Sequence, residues 1–403
     1  MPALSRVGTA FFLNKPGGGP SAEPGEAVFH ADQTTQINTW DTTTTYNWTV
    51  PEGVTEISVV CIGGGGSGVS QHDGASGCGG GLAYKNNIAV TPGTTIEVHV
   101  GGGGGSAGWG NWGKTGDASK IVVGGTEYAK AGGGNAHTAG QYGNGGIPNT
   151  SNGIPLGNFD GGGRGGRGTQ WGGSRQAGGG CGGYSDVGSY GGGGNTNDAT
   201  GGDSGNPSYS GATAGSGNKG GGGGGMSSNG NSSYYASGGG GTGIYGRGSN
   251  GSAGGNGYND ELTPVGKGGS DDPWSYETNG LTVNQYTNTT GLRGYASNSP
   301  WNTFAWSGNA TELDPSTPNG YRRNNDTQGQ GQTRPDGGFP GGGGGGGHSG
   351  SPCGFGGHGV VRIVWGTING MKREFPTQGV NKTTAYTGLS GATIDENGRQ
   401  MMY

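Results

Sequence analysis

Strict alternation of apolar and polar positions marks several short stretches of the chain. Tyr46–Val50 is the first, and it runs into the turn residues Pro51-Glu52-Gly53. Thr55–Ile62 follows, with Ile57, Val59 and Cys61 on one face. Leu82–Val90 comes next and ends at a second turn, Thr91-Pro92-Gly93. Thr95–Val100 then places Ile96, Val98 and Val100 inward and Glu97 and His99 outward. Ile121–Val123 and Glu127–Ala131 read as a short hairpin around Gly124-Gly125. Far downstream, Gly359–Gly366 (GVVRIVWG) puts Val361, Ile363 and Trp365 on one face and is expected to return to the sheet begun at residue 46. Nowhere does a 3.6-residue apolar period suggest an amphipathic helix.

Between these strands the side chains run out. Glycine accounts for 109 of 403 residues, against an average usage of roughly 7%. Leu, Ile, Val and Phe together reach only about 12%, too few to fill an ordinary core for a chain of this length. Disorder is one answer, but disordered chains usually combine low hydrophobicity with high net charge. Here the net charge is −5, and the chain carries 9 Trp, 17 Tyr and 8 Phe. A collagen helix needs glycine strictly every third residue with abundant proline; the glycine runs here are solid, as in Gly221–Gly225 and Gly341–Gly347, and proline is 18 of 403. A third answer is the extended threefold helix of polyproline II type, which has no internal hydrogen bonds. Glycine keeps its N–H and lacks Cβ, so such helices can approach closely and bond to one another. The expected fold is therefore mainly β: a small β-sheet framework enclosing layered polyglycine II helices, with almost no α-helix.

The chain divides accordingly. Residues 1–45 are expected to be an N-terminal attachment arm, with a frayed terminus as the plain alternative. Residues 46–366 form one glycine-rich domain, in which 132–257 supply most of the glycine helices and 258–335 are an insertion rich in aromatic, Asn and Thr residues. Residues 367–403 are a C-terminal tail. Neither a signal-peptide core nor an apolar run of roughly 20 residues is visible, so membrane insertion is not expected.

Three segments carry a family pattern: WTVPEGVTEISVVCIGGGGSG at 48–68, VTPGTTIEVHVGGGGG at 90–105 and GGHGVVRIVWG at 356–366. Together they resemble the glycine-rich domain of bacteriophage tail fibres and tail-tip adhesins. The closing strand followed by Arg373-Glu374-Phe375-Pro376 is similar to virion proteins of phages that infect cyanobacteria. The resemblance implies a virion structural protein, a tail fibre or adhesin, whose loops at one end contact a bacterial surface. Other virion proteins would be its partners through the N-terminal arm, a host surface glycan or outer-membrane protein its target, and the virion, assembled in host cytoplasm, its location. A homo-oligomer is expected. The alternative is a capsid or tail decoration, or a self-assembling fibre, without receptor binding.

Chemistry is sparse. Cys61, Cys78, Cys181 and Cys353 lack the spacing of a zinc site. His72, His99, His137, His348 and His358 are scattered, and residues 268–272 only faintly suggest a calcium loop. G-x-G-x-x-G strings are chance matches without a strand–loop–helix unit, and Arg164, Arg167 and Arg175 form a mild cluster in an acidic chain, so no nucleic acid is expected. No catalytic, cofactor or metal residue is assigned, and no enzyme is expected. The candidate surface-recognition residues are Trp109, Trp112, Trp171, Tyr234, Tyr235, Trp274, Tyr276, Trp301 and Trp306. Aromatic faces among Asn and Ser suit polar surfaces, including sugars, at low entropic cost; the alternative is that they fill gaps where glycine has no side chain.

Overall fold

The computed structural model describes residues 24–31, 43–68, 76–105, 113–136, 158–168, 177–185, 190–191, 216–224, 238–244, 246–248, 250–251, 270, 322–324, 332–334, 337–338, 340–346, 354–368, 371–377, 393–394 and 400–401. Its strands in chain order are β1 (Gly25–His30), β2 (Thr44–Thr49), β3 (Glu56–Ile62), β4 (Leu82–Ala89), β5 (Thr95–Val100), β6 (Ser119–Val123), β7 (Thr126–Ala131), β8 (Gly161–Gly163), β9 (Tyr190–Gly191), β10 (Arg322–Asn324), β11 (Gln332–Arg334), β12 (Val360–Trp365), β13 (Thr367–Ile368), β14 (Met371–Lys372), β15 (Thr393–Ile394) and β16 (Gln400–Met401). Among the described residues there is no α-helix, as the missing 3.6-residue period predicts.

Two sheets, antiparallel except for the β8–β9 pair, carry the framework, where the sequence suggested one. A six-stranded sheet has the order β1-β12-β3-β4-β8-β9, and a four-stranded sheet the order β2-β5-β6-β7. Strand β12 therefore joins β3 and β1 in the larger sheet, not the four-stranded sheet that begins with the strand at residue 46. The turns at Gly53 and Gly93, with φ of +78° and +80°, lead from one sheet to the other. They are tied together where Gly93 N donates to Val50 O at 2.9 Å. The β6–β7 hairpin turns at Gly124-Gly125 as expected, both with positive φ.

One core fills the space between the sheets. Ile57, Val59 and Cys61 of β3 and Val361, Ile363 and Trp365 of β12 meet Ile96, Val98 and Val100 of β5. Trp48 closes this core against Trp365, ring centroids 5.6 Å apart. The other face of the large sheet is buried too: Val60, Ile62, Leu82, Tyr84, Val360 and Val364 pack with Cys181, Tyr184, Ile244 and Phe375. Strand β1 lies within the stretch read as an arm, and Phe375 within the stretch read as a tail.

That second face leads into the glycine body. Strand β3 runs directly into residues 63–68, whose N–H groups turn through three neighbours in rotation. Gly63 donates to Gly81, Gly64 to Asp117 and Gly65 to Gly357; Gly66 then returns to Cys78, Ser67 to Lys114 and Gly68 to Gly354. Each partner recurs three residues on. Three further segments donate back, through Gly134 to Gly64, Gly104 to Gly65 and Gly344 to Gly66. Residues 63–68 are thus enclosed by backbone on every side, and all are buried. Residues 77–81 repeat the rotation: Gly77 and Gly80 donate to Gly344 and Gly341, Cys78 and Gly81 to Asn135 and Gly132. Side chains are excluded by this spacing. A Cβ on Gly65 would stand 2.0 Å from Gly342 O, and one on Gly133 1.7 Å from Gly116 O.

Candidate functional site at the loop pole

The register of these bonds defines two ends of the molecule. Ser76, Gly77, Gly113, Lys114 and Gly354 lie beside Ser67 and Gly68, at the end away from the sheets. Ser67 and Lys114 are stapled there twice, Ser67 N to Lys114 O at 3.0 Å and Lys114 N to Ser67 Oγ at 2.8 Å. Gly68 N reaches Gly354 O at 2.9 Å, and Gly354 N reaches Gly345 O at 2.8 Å. Gly168 N points at Cys78 Sγ, 3.4 Å away. Gly179 donates to Gly77, Gly239 to Gly343 and Gly240 to Gly223. The segments ending in Gly68, Gly105, Gly168, Gly224 and Gly346, and those resuming at Ser76, Gly113, Ala177, Gly238 and Gly354, therefore meet at one pole. Backbone bonds hold these stems at fixed spacing, independently of the sequence between them.

All nine candidate recognition residues lie outside the described residues: Trp109, Trp112, Trp171, Tyr234, Tyr235, Trp274, Tyr276, Trp301 and Trp306. The stems nonetheless sort them. Trp109, Trp112, Trp171, Tyr234 and Tyr235 belong to stretches whose described ends on both sides lie at this pole.

The remaining candidates are structural where described. Cys61, Cys78 and Cys181 are buried thiols not joined in disulfides, and burial pushes the Cys61 thiol well up. Cys353, His72, His137, His348 and Arg175 lie outside the described residues. His358 is buried, its Nδ1 accepting from Gly103 N at 2.9 Å. His99 sits on the outer face of β5 between Glu97 and Thr45. Of 268–272 only Ser270 is described; its hydroxyl donates to Gly220 O at 2.7 Å. Among the described residues no three His, Cys, Asp or Glu side chains form a metal-holding group, and no helix is long and apolar enough to cross a membrane.

One charged cluster was not legible in the sequence. Arg362 of β12 is fully buried, 2.5 Å from Glu26 Oε2 and 3.1 Å from Ile244 O. Arg373 shares the same carboxylate oxygen at 3.1 Å and donates to Gly25 O. Glu26 thus joins β1, β12 and the segment after β14 at the opposite pole.

These features define a class of protein in which a β framework closes a body built from glycine backbone. A family model described as a glycine-rich domain matches residues 41–257, more than half of the chain, and the chain belongs to that family. The matched stretch runs from β2 past β9 and ends before β12. No curated protein matches the chain.

Proposed function

We propose that this chain is a virion structural protein, a tail fibre or adhesin that presents loops to a bacterial, and specifically cyanobacterial, surface. The observation that carries the reading is the gathering of five pairs of loop stems at one pole, locked to each other by backbone bonds. A scaffold of that kind lets loop sequences change without disturbing the fold, which suits surface recognition. Trp109, Trp112, Trp171, Tyr234 and Tyr235 are the residues it would present. We read the glycine body as layered polyglycine II helices. The three-residue recurrence of hydrogen-bond partners supports this, since that helix has three residues per turn and bonds only to its neighbours. Attachment to other virion proteins and self-association belong to the same reading.

The test is binding of the purified, labelled full chain to host cells and to their isolated envelope glycans and outer-membrane proteins. Saturable binding that is lost when Trp109, Trp112 and Trp171 are replaced by alanine is the expected outcome. Absence of binding, with the protein found covering the capsid or tail tube of intact particles, would replace recognition with decoration.

A further inference from the structure

Residues 371–377 lie across the large sheet in a way that a packed chain end does not require. Arg373 and Phe375 are buried, whereas Met371 and Lys372 are exposed and Glu374 is half-buried. Phe375 fits between two tyrosines, its ring 6.2 Å from Tyr184 in a stacked arrangement and 6.3 Å from Tyr84. Its main chain is held at both ends by one side chain: Asn86 Nδ2 donates to Phe375 O at 2.6 Å, and Phe375 N donates to Asn86 Oδ1 at 2.8 Å. Asn86 is itself buried, and its backbone N–H is taken by Asp160 at 2.8 Å. The contact is therefore no extension of the β ladder but a side-chain amide dedicated to the main-chain N–H and C=O of one residue. Arg247 N donates to Pro376 O at 2.7 Å. The three side chains before Phe375 also have counterparts. Arg373 meets Glu26, Lys372 meets Glu56 at 2.7 Å, and Glu374 accepts from Asn87 at 2.9 Å.

Groups from separate stretches thus read main chain, charge and ring in one short sequence. Apolar cover alone would need only Phe375. We propose that this face is a peptide-binding site whose ligand is the sequence Lys-Arg-Glu-Phe-Pro, filled in cis by residues 372–376. The aromatic pair supplies the anchor pocket, Asn86 fixes the strand direction, and Glu26 and Glu56 select the basic pair. A free segment of the same sequence, including that of a second copy, competes for the site. This inference stands apart from the reading of the loop pole.

The test keeps the full chain and inserts a protease site between Asn369 and Gly370, just before β14. After cutting, the fragment from residue 370 onward is expected to remain bound through gel filtration. Excess synthetic peptide of residues 371–377 should displace it. The peptide with alanine in place of Phe375 should compete roughly 100-fold more weakly, as loss of a buried ring implies. Asn86→Ala in the body should weaken peptide binding by about tenfold. Equal competition by the two peptides, or a fragment that no excess displaces short of unfolding, would overturn the site. So would a fragment that falls away on cutting while labelled peptide fails to bind. If the insertion blocks folding, hydrogen exchange on the intact chain decides. The Phe375 amide should open while β3 and β5 stay protected; exchange of all three only by global unfolding would refute an exchangeable ligand.

Discussion

Glu26 is the residue on which two buried guanidinium groups depend. Glu26→Ala would leave Arg362 and Arg373 without their shared carboxylate. Breaking a buried pair on one side costs about 3–5 kcal/mol, so urea unfolding should show a loss of that order. The double variant Glu26→Ala with Arg362→Met should recover part of it, because no unpaired charge then remains at β12. Glycine positions differ sharply from one another. Gly65→Ala would drive a methyl to within 2.0 Å of a backbone carbonyl and should cost more than the roughly 1–3 kcal/mol typical of overpacking. Gly93→Ala meets nothing within 4 Å and is strained only by its φ of +80°, a cost of about 1–2 kcal/mol. Equal losses in thermal melts would contradict the packing described for residues 63–68. The turn at Gly93 and the close approach of glycine backbone were readable from sequence, but the Glu26 cluster was not. Arg362 sits where a period of two assigns a solvent-facing residue, and that rule does not distinguish water from a glycine surface on the second face.

At the scale of elements, the hairpin β6–β7 has its own pH dependence. Burial raises the Glu127 carboxyl, but Lys120 and Lys130 together outweigh it and hold the value below the ordinary 4.5. A depressed carboxylate contributes stability that is present above 4.5 and lost as pH falls through its folded value. The chain should therefore lose stability below pH 4.5 more steeply than its Glu127→Gln variant. Urea midpoints measured at descending pH would check this; parallel curves would contradict it. The strands themselves were legible, because β2 and β5 alternate cleanly, β3 runs into a glycine stretch and β12 is bounded by glycine on both sides. Their distribution over two sheets was not. A Pro-Gly turn looks the same whether it returns a strand beside its neighbour or carries it across to a facing layer. The apolar character of β3 on both faces held the missing information, since only a central strand covered twice is built that way. Strand β1 was hidden by its setting among Thr- and Pro-rich stretches, and its pairing with β12 depends on contacts hundreds of residues apart.

The whole molecule has two unlike poles. Five pairs of loop stems gather at one, and the Glu26 cluster gathers β1 and the segment after β14 at the other. The sequence showed that glycine had to serve as packing material, but irregular runs gave no register. Register follows from which carbonyl faces which N–H, and that depends on the sheet that starts each segment. The same feature bears on thermodynamics. Unfolding an ordinary domain exposes mostly apolar surface and raises heat capacity by about 12–15 cal/mol/K per residue. Here much of what becomes wet is peptide group from segments such as 63–68 and 77–81, and polar exposure lowers heat capacity. Calorimetry should therefore return a per-residue value clearly below that range. The stability curve should be correspondingly flat, and the fold should hold nearly the same margin in cold water as in warm.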